Sequence, residues 1–75
     1  MTPRKITPIL GRELKPGDKF RMTRHPFSVE YTADYYTKIG ISAHGVKPDG
    51  TMSYITVGHY DTVYKIEEVD DAGTT

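Results

Sequence analysis

Leu14-Lys15-Pro16-Gly17-Asp18-Lys19-Phe20-Arg21-Met22-Thr23-Arg24 decides the fold, because it joins a turn directly to a strand. Proline presets φ at the first central position of a turn, glycine accepts the positive φ of the second, and aspartate caps the exit. Phe20 and Met22 then alternate with Lys19, Arg21 and Thr23, the period-two pattern of a ribbon with one buried face. Before this stretch the sequence predicts an arm, and after it a sheet.

Working toward the C-terminus, the first strand is expected over residues 18–24, where Pro26 removes a ladder donor and biases His25 toward extended backbone. Residues 28–36 alternate most cleanly: Val29, Tyr31, Ala33 and Tyr35 on one side, Ser28, Glu30, Thr32 and Asp34 on the other. A third strand is expected over 39–46 with Ile39, Ile41 and Ala43 inward, Gly40 marking a bulge or bend. Lys47-Pro48-Asp49-Gly50 and Gly58-His59-Tyr60-Asp61 are turns that bound strands over 51–57 and 62–69. Residues 70–75 lack apolar anchors and form a frayed tail. Working toward the N-terminus, Pro3, Pro8 and Gly11 interrupt any regular element, so residues 1–13 read as an irregular arm with room for one helical turn over 9–13. Its Ile6, Ile9 and Leu10, with Leu14, are apolar enough to fasten its later part over one end of a barrel. The expected core is Phe20, Met22, Val29, Tyr31, Ala33, Ile39, Ile41, Ile55, Val57, Val63 and Ile66. Val63 and Ile66 differ in parity, so both face one core only if a bulge intervenes.

Seventy-five residues make one domain. A chain of this size buries only about 60% of the surface its unfolded form exposes, so a few large side chains, chiefly among two phenylalanines and six tyrosines, carry its stability. The absence of cysteine excludes disulfides, thiolate metal sites and a thiol nucleophile. No apolar run approaches the roughly 20 residues that span a bilayer, and the N-terminus lacks the apolar core of a signal peptide. A soluble, cytoplasmic protein with no membrane partner is the expectation. The formal charge is zero, but residues 1–24 hold Arg4, Lys5, Arg12, Lys15, Lys19, Arg21 and Arg24 against Glu13 and Asp18. The first segment is therefore +5 and the rest −5, an asymmetry that cross-strand pairing between the two parts would neutralise.

Short strands with turns at close intervals argue for an antiparallel barrel or tightly curled sheet. The segment Leu14-Lys15-Pro16-Gly17-Asp18-Lys19-Phe20 resembles the leucine, basic residue, proline, glycine, aspartate lead-in to the first strand of many SH3-like small β-barrels. Among these are domains of translation and transcription proteins and short β proteins of actinobacteria and their phages. The likeness runs loosely from residue 14 to 69, through Asp49-Gly50 and Asp61-Thr62-Val63. It implies an all-β, five-stranded antiparallel SH3-like small barrel over 14–69, and a phage-type accessory protein working in the host cytoplasm.

The sequence points away from catalysis. His25, His44 and His59 have no metal-motif spacing, so no metal or other cofactor is expected, and each reads as a solvated or capping side chain. Asp34, Asp61, Glu67 and Glu68 read as turn residues and a wet strand face rather than an acid–base pair in a pocket. The glycines form neither a phosphate loop nor a dinucleotide fingerprint. A non-enzymatic binding protein remains, with two competing surfaces. The tyrosines outnumber what so small a core can enclose, so Tyr35, Tyr36, Tyr54 and Tyr60 are the candidates for binding another protein, self-association through an edge strand included. The alternative is nucleic acid held by the arm and first strand through Arg4, Lys5, Arg12, Lys19, Arg21 and Arg24, with Phe27, Tyr35 or Tyr36 stacking on a base. The near-neutral pI opposes it.

Overall fold

The structure, a computed structural model, describes residues 4–25 and 27–68. They form six antiparallel strands in one sheet: β1 (Arg4–Leu10), β2 (Lys19–Arg21), β3 (Glu30–Tyr36), β4 (Gly40–Val46), β5 (Met52–Gly58) and β6 (Thr62–Glu68), in the order β1-β6-β2-β3-β4-β5. Two turns set the register. In the first, the Asp18 N–H donates to the Lys15 carbonyl at 3.0 Å and Gly17 sits at φ +94°. The Asp18 carboxylate accepts the Lys15 N–H at 2.8 Å, closing the loop from the other side. In the second, the Gly50 N–H donates to the Lys47 carbonyl and Gly50 takes φ +90°, after which the Lys47 N–H meets the Thr51 carbonyl. Both follow from proline at the first central position with glycine where φ turns positive.

The arm expectation is corrected: residues 4–10 are a full strand, followed by a 3-10 turn at Gly11–Glu13. β1 pairs with β6 along its whole length, aligning Ile6 with Ile66, Ile9 with Val63 and Lys5 with Glu67. Pro8 does not prevent this because β1 is an edge strand, where a missing N–H can face away from the ladder. The sheet therefore has six strands rather than five and is not closed into a barrel; β1 and β5 are its two edges. β5 and β6 are joined by the Gly58–Asp61 turn without pairing, and the 3-10 turn fills that corner, with the Gly11 N–H on the Asp61 carbonyl and the Arg12 N–H on that of His59. No helix among the described residues is long and apolar enough to cross a membrane.

One face of the sheet carries the core. Leu14, Phe20, Ala33, Ile41, Ala43, Val57 and Val63 are buried together, with Ile9, Tyr31 and Ile55 packed against them. The Phe20 and Tyr31 rings stack at 5.8 Å. Four expected core residues are not in that cluster: Val29 is half-buried just ahead of β3, Ile66 lies on the other face, and Met22 and Ile39 are exposed. β2 ends at Arg21, leaving Met22 in the bend that follows, 38% exposed, and Ile39 lies in the turn before β4, 67% exposed. Gly40 is the first residue of β4, pressed against the Val57 carbonyl, and the bulge falls instead between Ala33 and Tyr35. Val63 and Ile66 are both buried without a bulge in β6, because they lie on opposite faces: Val63 joins the core, while Ile66 sits on the other face beside its register partners Ile6 and Lys19. The ends of the expectations at residues 1–3 and 69–75, the tail among them, fall outside the described residues.

Candidate functional site

The face away from the core is built by register. Opposite one another stand Lys19, Thr32, His44 and Tyr54; Tyr35, Ser42 and Thr56 form the next row, and Val46 pairs with Met52. The bulge matters here, because two residues of β3 then answer one of β4 and the strand twists locally. It leaves the Asp34 carboxylate 2.7 and 2.9 Å from His44 Nδ1 while Tyr35 stands opposite Ser42. An aspartate–histidine pair thus braces the middle of a surface on which Tyr35, Val46, Met52 and Tyr54 are all exposed, Tyr54 to 74%.

Beside it opens a groove of about 470 Å³, lined by Lys19, Glu30, Thr32, His44 and Val46 and flanked by Phe27. The segment before β3 holds Phe27 out. The Ser28 N–H donates to the His25 carbonyl, the Phe27 N–H donates to His25 Nδ1, and the Thr23 and Ser28 hydroxyls bond to each other. The His25 ring lies against Phe27 at 5.4 Å. Among the described residues no group of three or more His, Asp or Glu side chains could hold a metal ion.

The basic candidates do not make one surface. Arg4 and Arg21 converge on Glu30, Arg4 donating from Nη1 and Nη2 at 3.0 and 2.8 Å and Arg21 from Nη2 at 3.1 Å. Lys19 lines the groove, and Arg24 lies over the Tyr64 ring at 5.3 Å. Lys5 has the opposite parity from Arg4 and stands in the row of Glu67, and Arg12 lies over Tyr60 at the β5–β6 corner. One carboxylate therefore absorbs part of the field of two arginines.

That carboxylate makes stability depend on pH. The Arg4 hydrogen bonds, opposed by partial burial and aided by Arg21, lower the Glu30 pKa from 4.5 to about 2. Because the folded value lies below the unfolded one, the stabilisation is complete above about pH 5 and is lost as pH falls toward about 2. The side chain is 37% exposed, so solvent screening limits the contribution to about 1 kcal/mol. Glu30→Gln is expected to cost that much near neutrality and to flatten the acid limb of stability against pH in urea titrations. An unchanged acid limb would show that Glu30 is not its source.

Of the four tyrosine candidates, Tyr35 and Tyr54 share the outward face. Tyr36 pairs with Ile41 and so has the opposite parity, and Tyr60, 78% exposed, sits at the corner under Arg12. Tyr31 and Tyr64 are half-buried. The sequence reading missed Val46, Met52 and the Asp34–His44 brace. A signal for Met52 was available: residues 51–58 carry no charge at all, as expected of a strand whose outward face is used. No protein-family model, no curated protein and no solved structure matches this chain.

Proposed function

We propose that this chain is a non-enzymatic protein-binding module that docks a partner on the outward face of β3, β4 and β5. One observation carries the reading: Tyr35, Val46, Met52 and Tyr54 are exposed together on a strand-built surface, with Phe27 across an open groove. Tyrosine and methionine are enriched at interface cores, tyrosine because its ring offers large contact area at little conformational cost and methionine because its flexible thioether fills irregular surfaces. Scattered single exposures do not require such an account. The resemblance at Leu14–Phe20 supports two finer parts of the proposal. The unit β2 to β6, whose last strand returns beside its first, is read as an SH3-like small barrel. The role is read as that of a small accessory or inhibitor protein of the phage type.

The test is retention from lysate on the immobilised chain, followed by mass spectrometry and titration of the retained protein. Tyr54→Ala is expected to weaken binding by roughly 30-fold and Tyr35→Ala by about 10-fold, as for central interface residues, while Tyr60→Ala leaves it unchanged. Nucleic acid retained in place of protein, with an affinity that falls steeply with salt and weakens on Lys19→Ala and Arg24→Ala, would overturn the reading.

A further inference from the structure

The two edges of the sheet are guarded unequally. β1 carries Pro8 at its middle and Arg4 and Lys5 at its start, devices that discourage a further strand. β5 has neither charge nor proline from Met52 to Gly58. Its free backbone groups follow from the register. The Lys47 N–H bonds to the Thr51 carbonyl, so by the alternation of an antiparallel ladder Ser53, Ile55 and Val57 bond toward β4. Met52, Tyr54 and Thr56 then direct both N–H and C=O away from the sheet. Beyond them the edge is already used. The Gly58 N–H donates to the Asp61 carboxylate at 2.8 Å, and the 3-10 turn lies so close that a Cβ on Gly11 would fall 2.0 Å from the Gly58 carbonyl oxygen. At the other end the Thr51 N–H is held by Asp49.

We propose that this open edge pairs with the same edge of a second copy, antiparallel about a two-fold axis at Tyr54. The inference rests on the docking reading above and places a second copy at the edge that borders that face. A dyad at Tyr54 sets Tyr54 against Tyr54 of the second copy and Met52 against Thr56 of the second copy. Every outward donor then meets an outward acceptor and none is left over; a dyad shifted along the strand leaves donors unpaired. An uncharged strand brings no like charges face to face, the penalty that self-pairing otherwise carries. At the ends, the turn bearing Lys47 and Asp49 approaches the turn bearing His59 and Asp61 of the second copy, an opposition of mixed signs. The pairing extends the outward face across the axis and joins the two Tyr54–Met52 surfaces into one. Because the interface is isologous, it closes at the dimer.

Sedimentation of the full chain from low micromolar to millimolar concentration is expected to show monomer passing to dimer and nothing larger. The amides of Met52, Tyr54 and Thr56 should gain protection from hydrogen exchange over the same range, those of Ser53 and Ile55 being protected throughout. Thr56→Pro removes an outward donor in each copy and no bond to β4, and it should weaken the dimer by roughly 30-fold. Tyr54→Lys sets two cations across the axis and should abolish it. Should Thr56→Pro disturb the fold, as circular dichroism would reveal, Tyr54→Lys and the wild-type exchange pattern decide. A monomer throughout, a dimer indifferent to Tyr54→Lys, growth beyond the dimer, or outward amides that gain no protection would each overturn the proposal. A monomer that still loses a heterologous partner on Tyr54→Ala would leave the docking face standing and this occupant rejected.

Discussion

Phe20→Ala leaves the chain largely unfolded at 37 °C or lowers its melting temperature by roughly 20 °C. Phe20 is wholly buried, stacks on Tyr31 and belongs to the cluster with Leu14, Ala33, Ala43 and Val63. Its position on β2, the central strand between β6 and β3, means that the floor of the cavity left by truncation is backbone held by ladders on both sides, which resists collapse. Burial lost together with a cavity retained costs about 3–5 kcal/mol for a phenylalanine. A 75-residue domain has only about 4–11 kcal/mol in total. Met22→Ala serves as the control, two residues along the same stretch but past the end of the strand, where about 1 kcal/mol or less is expected. Thermal unfolding followed by circular dichroism checks both. Equal losses at the two positions would mean that the core is not centred on Phe20.

That contrast also marks how far the sequence could be read. The two proline–glycine turns were legible because positive φ leaves few residues to choose from, and both glycines adopt it. The alternation on β3 was legible as far as Ala33 for the same kind of reason, since burial on one face imposes a period of two. The bulge then turns Tyr35, expected beside Tyr31 and Ala33, to the opposite face. What the pattern could not carry was the strand ends. Met22 continues the period of β2, yet the chain bends away before it, because the hydrogen bonds around His25 and Ser28 compete with the ladder. β1 was hidden by Pro8, which reads as a break wherever the strand is central and is tolerated only at an edge, a property of the sheet order and not of the segment. The bulge at Asp34–Tyr35 has no glycine or proline to announce it.

The candidate site was legible in kind and not in place. Counting tyrosines against the size of the core is enough to expect some of them outside, since a small domain has a fixed interior. Deciding that Tyr35 and Tyr54 share a face while Tyr36 does not requires the β3–β4 register, which the bulge shifts by one residue. Likewise Arg4 and Arg21 look like a basic patch until the fold brings Glu30 between them, from a strand that the sequence places nine residues beyond Arg21. Local charge asymmetry predicted that opposite signs would meet. Only the topology says which residues do.

Gly40→Ala is expected to cost about 4 kcal/mol or more, beyond the usual range for an added methyl, because nothing around it can give way. A Cβ at Gly40 would stand 1.6 Å from the Val57 carbonyl oxygen and 2.7 Å from its carbon, both backbone atoms of the neighbouring strand. A side chain could rotate aside; the ladder cannot, since Ile41 pairs with Val57 and the His59 N–H bonds to the Ile39 carbonyl on either side of the contact. The variant must therefore open the β4–β5 pair at this end or push β5 outward, loosening the strand that carries Met52 and Tyr54. Gly17→Ala gives the opposite case. There φ is +94° but no atom lies within 4 Å of the added Cβ, so only backbone strain of about 1–2 kcal/mol opposes it. Urea titrations should rank the two variants in that order, and amide exchange should show the Gly40→Ala loss concentrated on β4 and β5. A Gly40→Ala chain as stable as Gly17→Ala would mean that the strands sit further apart at this end than their backbone contact implies.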